Sequence, residues 1–535
     1  MRLLTTVAAL RCYLTKRCLE NKLIAVSENL ALDEMSGWHQ TAVGLVPTMG
    51  NLHQGHLSLI QRARQENSTV IVSIFVNPLQ FGPNEDYERY PRTLKQDQQL
   101  CEQFGVDAIF APTPEEMTVP QKSIQESMVT QVIPPSGMIT GLCGRSRLGH
   151  FQGVATIVTK LFNLVQPDRA YFGQKDGQQL AIIKRLVADL NLPVEIVACP
   201  TVREASGLAL SSRNHYLTAT EKEQAAVLYR GLQAAEAGFR AGVRDRSKLI
   251  AIVQQELTMV STLLVEYIEL VEPTTLMSLD KVQEEGMLAI AARLGSTRLI
   301  DNIILRARQP IIAIDGPAGA GKSTVARQVA AILNLVYLDS GAMYRAVTWL
   351  VLQKGIAIDD ECAIAELASQ CQIELTPTQD LQFPVRVWIN GIDVTQAIRT
   401  VEVTSQVSAI AAQSAVRQAL VKQQQTWGKK GGLVAEGRDI GTHVFPDAEV
   451  KIFLTASVSE RARRRQQDFQ KLGQPEVSLE QLERDIAQRD WKDSTRKISP
   501  LQKAADAIEV QTDGLDVSEV TAQIVNYYQQ RLSEW

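Results

Sequence analysis

Gly316-Pro317-Ala318-Gly319-Ala320-Gly321-Lys322-Ser323 is the stretch on which the reading of this chain turns. It fits G-x-x-x-x-G-K-[ST], a loop whose backbone N–H groups wrap nucleotide phosphates. Apolar Ile311-Ile-Ala-Ile-Asp315 before it reads as a strand, and Thr324 to Leu335 after it as a helix. Strand, glycine loop and helix start together make an anion site, because unsatisfied amides and the helix dipole point the same way. The loop opens about 300 residues into the chain, so the preceding part is long enough to be a second folded machine.

Size agrees with that division. A chain of 535 residues exceeds what one hydrophobic core serves, which predicts two or three domains. Hydrophobic residues at 45% and charged residues at 21% are ordinary globular values. A net charge of −4 leaves no footprint for nucleic acid or an anionic membrane, so neither is expected as a partner. The seven cysteines, at 12, 18, 101, 143, 199, 362 and 371, are scattered and never in C-x-x-C spacing. That pattern argues against a disulfide framework or structural zinc and for a reducing compartment. No apolar run approaches a membrane span. The opening Met1-Arg-Leu-Leu-Thr-Thr-Val-Ala-Ala-Leu10 is too polar for a secretory signal. It reads instead as a strand, a Thr cap and a helix from about Val7 to Arg17, and a cytoplasmic location is expected.

Strand-like runs alternate with amphipathic stretches in both halves: Val43–Val46, Val70–Val76, Ala108–Phe110, Val194–Val197, Ile311–Ile314, Val434–Ala435 and Val450–Leu454. This rhythm predicts an α/β fold with parallel sheets covered by helices. Between about 218 and 304 the texture changes. Helical blocks (Glu221–Ala241, Arg246–Leu257) precede strand-like Leu264–Val271 and Met287–Ala292, predicting a small α+β subdomain. The polar Arg306-Ala-Arg-Gln-Pro310 is the expected junction, so the domains are read as 1–217, 218–304 and 308–535.

In the first half, Pro47-Thr-Met-Gly-Asn-Leu-His53-Gln-Gly-His56 follows a strand and precedes a helical pattern. Two imidazoles three residues apart at a helix start share a face and can donate to phosphate oxygens. The same pair also suits metal ligands. Phe75-Val-Asn77-Pro-Leu-Gln80-Phe81 ends a strand with two amides able to fix a small polar substrate. Phe172-Gly173-Gln174-Lys175-Asp176-Gly-Gln-Gln179 adds a cation and a carboxylate. Gly207-Leu-Ala-Leu210-Ser211-Ser212-Arg213-Asn214 adds hydroxyls and a guanidinium for phosphate.

With Gly149-His-Phe-Gln-Gly-Val154 and Lys160-Leu-Phe-Asn-Leu-Val-Gln-Pro-Asp168, these segments make residues 1 to about 304 resemble the pantothenate synthetases (pantoate–β-alanine ligases). The resemblance implies a Rossmann-like nucleotidyltransferase domain with a small C-terminal subdomain, ATP as substrate, Mg²⁺, and a homodimer formed through this half. It implies a pantoyl adenylate that β-alanine then converts to pantothenate. By position, Met49, Gly50, Asn51, Leu52, His53, Gln54, Gly55 and His56 would line ATP, with His56 as general acid and His53 its neighbour. Gly173, Gln174, Lys175, Asp176, Val202, Leu210, Ser211, Ser212 and Arg213 would complete that pocket. Lys175 would stabilise phosphate charge and Asp176 would serve the ribose. Gln80 and Gln179 would hold pantoate, Gln80 also lying near β-alanine. Gly177 stands where relatives often carry an aromatic residue, which puts local packing in question.

In the second half, Leu335-Val-Tyr-Leu-Asp339-Ser340-Gly341-Ala-Met-Tyr-Arg345 ends a strand with a hydroxyl and a guanidinium suited to an acceptor phosphate. Glu436-Gly-Arg438-Asp439-Ile-Gly-Thr442 places a cation and a carboxylate after another strand. Gln488-Arg489-Asp490-Trp-Lys492-Asp493-Ser-Thr-Arg496 concentrates charge as a closing lid would. Arg461-Ala-Arg463-Arg464-Arg465 reads as an exposed basic face. Together these motifs resemble bacterial cytidylate kinases over about residues 308–535, which implies a P-loop nucleoside monophosphate kinase fold. Gly316, Pro317, Ala318, Gly319, Ala320, Gly321, Lys322, Ser323 and Thr324 would then hold ATP, with Lys322 catalytic and Ser323 a magnesium ligand. Ser340, Arg345 and Arg438 would grip the CMP phosphate, and Ser408, Arg417 and Asp439 would read cytosine. Arg489, Asp493 and Arg496 would supply lid and ribose contacts, and about 358–427 would be an enlarged monophosphate-binding insertion. Another nucleotidyltransferase, another small kinase, or a non-catalytic nucleotide-binding module are the competing readings.

Overall fold

Val43–Thr48 is the strand about which the first half winds. The computed structural model describes residues 1–28, 42–82, 85–117, 130–378, 385–471, 477–495 and 499–533. The chain divides into two compact units, Met1–Ala307 and Arg308–Trp535. In the first, β1 (Arg2–Leu4), β2 (Val43–Thr48), β3 (Thr69–Ile74), β4 (Ala108–Phe110), β5 (Arg169–Gly173) and β6 (Glu195–Cys199) form one parallel sheet. Its order is β1-β4-β3-β2-β5-β6. Both faces are covered. Leu45, Ile71 and Phe110 pack with the helix His150–Val165, while Val46, Val72 and Ile109 pack with the helix Gln54–Glu66. Burial on both sides is why these strands read as nearly continuous apolar runs. The winding reverses between β2 and β5, which pair only at Gly44–Arg169 and Leu45–Ala170. Beyond those pairs the two strand ends part and open a crevice at the switch point, where such folds bind ligands.

The opening helix runs Val7–Glu28, well past the expected Arg17. Helices Ala219–Ala225, Val227–Arg240 and Arg246–Leu257 then cover an antiparallel sheet of β7 (Leu263–Val271), β8 (Glu285–Leu294) and β9 (Thr297–Arg306). The expected single helix over Glu221–Ala241 is therefore two. β8 is buried on both faces. Leu288, Ile290 and Ala292 meet the covering helices, while Met287 and Ala289 meet Met138, Phe151 and Ile182.

In the second unit the junction is shorter than expected, because Arg306 closes β9 and Gln309 already opens β10 (Gln309–Asp315). Gln309 pairs with Gly431, whose left-handed φ of 62° admits the approach; a Cβ there would lie 1.9 Å from the Gln309 carbonyl oxygen. Pro310 is tolerated because it sits at the strand's start. After β11 (Val336–Asp339), the strands β12 (Ile373–Pro377), β13 (Val385–Ile389) and β14 (Ile392–Asp393) make a small antiparallel sheet. They share a core with helices Ser340–Gln353, Glu361–Gln370, Val401–Ala412 and Ser414–Gly428. β15 (Gly431–Gly437), β16 (Val450–Thr455) and β17 (Ile508–Gln511) complete a five-stranded parallel sheet, order β11-β15-β10-β16-β17. The glycine loop leaves its central strand.

Candidate active sites

At the end of β2 the chain turns through two left-handed residues, Gly50 (φ 81°) and Asn51 (φ 51°). Asp97, 1% exposed, fixes the turn by accepting from Asn51 N (3.0 Å) and Leu52 N (2.8 Å). A Cβ on Gly50 would stand 3.0 Å from that carboxylate, so only glycine fits without displacement. His53 then caps the helix Gln54–Glu66. Its Nδ1 accepts from Gly55 N at 3.1 Å, and His56 Nδ1 accepts from His53 N at 3.4 Å. With both Nδ1 atoms accepting, each ring carries its proton on Nε2. The ring centroids are 4.1 Å apart. Desolvation first, then Lys175, lowers the His53 pKa to about 4; desolvation, then His53 and Lys175, lowers that of His56 to about 3. Both imidazoles are therefore neutral donors at pH 7. The positive charge beside them is Lys175, which makes no ion pair among the described residues.

Three further segments converge there. A Cβ on Gly55 would lie 3.8 Å from Leu210, whose N–H donates to the Val202 carbonyl at 2.9 Å. Ser212 Oγ reaches the Asn51 carbonyl at 3.5 Å, and Arg213 donates twice to Asp86, at 3.1 and 2.9 Å. Gln80 Nε2 lies 2.7 Å from Met49 Sδ. The Gln80 carbonyl is held by His150 Nδ1 (2.7 Å) and Arg147 Nη2 (3.2 Å). Arg147, His150, Lys175, Asp176, Gln179 and Arg213 all line one cleft of about 370 Å³. Asn77, read as a second substrate amide, is consumed structurally. Its Oδ1 accepts from Leu79 N (3.0 Å) and its Nδ2 donates to the Gly153 carbonyl (3.0 Å).

In the second unit, Gly316 adopts φ 150°, and a Cβ there would fall 2.1 Å from the Leu454 carbonyl oxygen. Gly319 (φ 79°) and Gly321 (φ 86°) are left-handed, and Lys322 opens the helix Lys322–Leu333. Buried Lys322 donates to the Pro317 carbonyl at 2.7 Å. Desolvation first, then Arg438, lowers its pKa to about 7. Asp315 ends β10 buried, accepting from Ile440 N (2.8 Å) and Gly441 N (2.7 Å); burial raises its pKa to about 6.

Around that loop, Arg438 pairs with Asp493 at 2.7 Å and Arg345 with Asp339 at 3.3 Å. Arg489 remains open to solvent, yet desolvation first and neighbouring Arg438 second lower its pKa. Arg417 and Asp439 form a buried ion pair, and Arg417 Nη1 also donates to the Ala411 carbonyl at 3.1 Å. Ser408, on the same helix as Ala411, is exposed. Ser340 gives its proton to the Glu436 carbonyl at 2.6 Å, so it has no free donor for phosphate. Arg496 lies outside the described residues.

Comparison with known proteins shows which families the two halves match. The family described as pantoate-beta-alanine ligase matches residues 24–304, and cytidylate kinase matches 312–530. A bifunctional pantoate ligase/cytidylate kinase of Nostoc sp. strain PCC 7120 is 83% identical over all 535 residues of both chains. The chain belongs to the bifunctional pantoate ligase/cytidylate kinases. A relative of that name from Acaryochloris marina is 58% identical over 92% of this chain and 93% of its own. The pantothenate synthetase structure from Thermus thermophilus is 44% identical, covering 57% of this chain and 99% of its own, with a TM-score of 0.49.

Both halves are thus enzymes, and each has residues that motif reading missed. In the ligase half these are Asp97, Arg203, Asp301 and Asn302. Asn302 Nδ2 donates to the Gln174 carbonyl (3.0 Å) and the Lys175 carbonyl (2.8 Å). Asp301 holds Arg203 by two bonds, 2.6 and 3.0 Å, and Arg203 stacks 3.7 Å over Tyr229. The packing question at Gly177 has an answer in neighbouring β8, since a Cβ there would meet Met287 Sδ at 2.5 Å. In the kinase half the expected exposed basic face holds for Arg463 and Arg465 but not for Arg461 and Arg464. Arg463 is exposed, but Arg461 is 4% exposed and donates to the Ala318 carbonyl at 3.1 Å. Arg464 bonds Thr512 Oγ1 at 3.0 Å.

Proposed function

We propose that the ligase half activates pantoate at the His53–His56 site and that the kinase half phosphorylates CMP and dCMP at the glycine loop. In the first reaction a pantoate carboxylate oxygen attacks the ATP α-phosphorus, and the bond to pyrophosphate breaks. The β-alanine amine then attacks the acyl carbon, AMP leaves, and the amine gives up a proton. The observation that carries this reading is the pair of imidazoles whose Nδ1 atoms both accept backbone N–H groups, leaving the Nε2 protons to donate, with burial and the neighbouring Lys175 holding both pKa values down. Such donors stabilise charge developing on the departing pyrophosphate without first being desolvated at the moment of reaction. His56 then acts as a hydrogen-bond donor, and as a general acid only if bound phosphate raises its pKa. Gln80 and Gln179 would hold pantoate, and Arg213 and Ser211 would face phosphate.

In the kinase half the acceptor phosphate oxygen attacks the ATP γ-phosphorus in line and ADP leaves. No protein nucleophile is needed; positioning and charge neutralisation carry the transfer. Lys322, Arg345, Arg438 and Arg489 would surround the transferring phosphates, while Arg417 and Asp439, already locked together, would read the base. Magnesium fits beside them, because the Ser323 hydroxyl at the start of its helix and the buried Glu436 carboxylate, which accepts from Tyr337 Oη at 2.6 Å, are hard oxygen donors. Bound with the triphosphate, the ion would neutralise phosphate charge. A cytoplasmic enzyme, with the ligase half forming a homodimer, completes the reading; light scattering would test the dimer.

The decisive experiment gives the purified chain ATP, Mg²⁺, pantoate, β-alanine and CMP, then resolves AMP, pyrophosphate, ADP and CDP. AMP and pyrophosphate should require pantoate, and CDP should require CMP. Pyrophosphate formed without pantoate, or equal phosphorylation of AMP and UMP, would overturn the corresponding half.

A further inference from the structure

Helix Val458–Lys471 packs against the glycine loop, and Arg461 is where the two meet most closely. Its guanidinium meets two backbone carbonyls and one carboxylate. Nε donates to the Ala456 carbonyl at 3.0 Å, Nη1 donates to the Ala318 carbonyl at 3.1 Å, and Nη1 also forms an ion pair with Asp490 Oδ2 at 2.6 Å. The stem lies against left-handed Gly319, where a Cβ would stand 3.3 Å from the Arg461 Cβ. Asp490 is carried by the helix Leu479–Thr495. Its Oδ1 is buried without a partner among the described residues. A carboxylate placed there depends on Arg461, since losing one member of such a pair leaves the other charge uncompensated.

We infer that Arg461 is a positioning residue of the kinase reaction, tying the donor-phosphate loop to the helix that bears Arg489 and Asp493. The inference rests on the kinase assignment. Its physical content is directional. In a trans peptide the carbonyl and the next N–H point opposite ways, so drawing the Ala318 carbonyl outward aims the Gly319 N–H inward. On the other side, Asp490 adjoins Arg489 and lies one turn before Asp493, which holds Arg438. One planar fork thus sets both an amide facing the donor and the register of a cation facing the transferred phosphate. A lysine cannot reproduce it, because its point charge lacks the fixed fork.

The test uses the full chain carrying Arg461→Lys, Asp490→Asn, or both. CMP kinase kinetics are measured with ATP and CMP varied separately, and pantoate-dependent pyrophosphate exchange in the same samples controls for folded protein. Each single variant should raise the ATP KM and lower kcat, with a combined loss of about tenfold or more in kcat/KM. The double variant should be no worse than the worse single one, as for residues acting as a unit. Should Arg461→Lys lose the kinase fold, Asp490→Asn decides, since it leaves Arg461 on the Ala318 carbonyl. Constants within about twofold of the parent for Asp490→Asn, even with a lower Tm, would reduce Arg461 to a packing role. Fully additive losses would also overturn the tie. Failure of the kinase assignment itself would look different, because the parent chain would then make no CDP.

Discussion

Burial decides the charge of the two imidazoles, and that decision can be measured. His53 and His56 have folded pKa values of about 4 and about 3, against an ordinary 6.5. Below pH 6.5 the unfolded chain therefore binds more protons, and stability falls as pH drops from 6.5 toward 3. In His53→Asn and His56→Asn, melting of the ligase half should lose part of this acid sensitivity. A slope equal to the parent's would show the rings charge freely when folded. His56→Ala should cut pantoate-dependent pyrophosphate exchange about 100- to 1000-fold, the loss expected for one donor to developing charge. CDP formation should be unchanged. Lys322 gives the opposite sign on ligand binding. Its folded pKa of about 7 leaves it largely neutral at pH 8, and an arriving triphosphate favours the charged form. Binding of a non-hydrolysable ATP analogue at pH 8 should take up a proton. Calorimetry in buffers of different ionisation enthalpy would detect it, and Lys322→Arg should abolish it. At that pH the imidazoles are neutral before and after, so they do not contribute.

Elements explain what the sequence discloses and what it conceals. Gly316 to Ser323 is legible because the loop is contiguous and its glycines are forced by φ values no side chain adopts cheaply. The His53–His56 turn is legible for the same reason, being built within four residues. Asp97 is not, since it serves that turn from a helix more than forty residues away and looks like any surface carboxylate. β9 escapes sequence reading as well, because Asp301 and Asn302 interrupt its apolar run; those two residues anchor the loops around Lys175 and Arg203. Arg461 is hidden because a run of arginines has no periodicity to separate a buried member from its exposed neighbours. Two consequences belong to elements. Asp97→Ala should orphan the buried Leu52 N–H at about 1–3 kcal/mol, leave the half-buried Asn51 N–H without its acceptor, and lower both the melting temperature and pyrophosphate exchange. Asn302→Ala should slow adenylation itself, read as exchange, rather than only the later β-alanine step. Unaltered exchange would mean the small subdomain does not position Lys175.

At the scale of the whole molecule, the chain carries two reactions on two units whose boundary falls between Ala307 and Arg308. Each unit closes its own parallel sheet and its own core, and only Ala307 and Arg308 separate β9 from β10. Arg308 belongs to the second unit by its bonds, pairing with Asp447 at 3.0 Å and Glu449 at 3.2 Å. Ala307 belongs to the first, its N–H donating to the Glu284 carbonyl at 2.7 Å. A cut between them severs one peptide bond and leaves both sheets whole, and each piece is long enough to bury a core of its own. Residues 1–307 and 308–535, expressed separately, should therefore each unfold in a single cooperative transition. Each should also keep its activity, exchange for one and CDP formation for the other, within about twofold of the full chain. A piece that is folded but slow would mean its site needs the other half. A piece that does not fold would show that the boundary marks two sites within one folding unit. The comparison is best made with substrates for both reactions present, because a rate lost only under those conditions would be the signature of coupling between them.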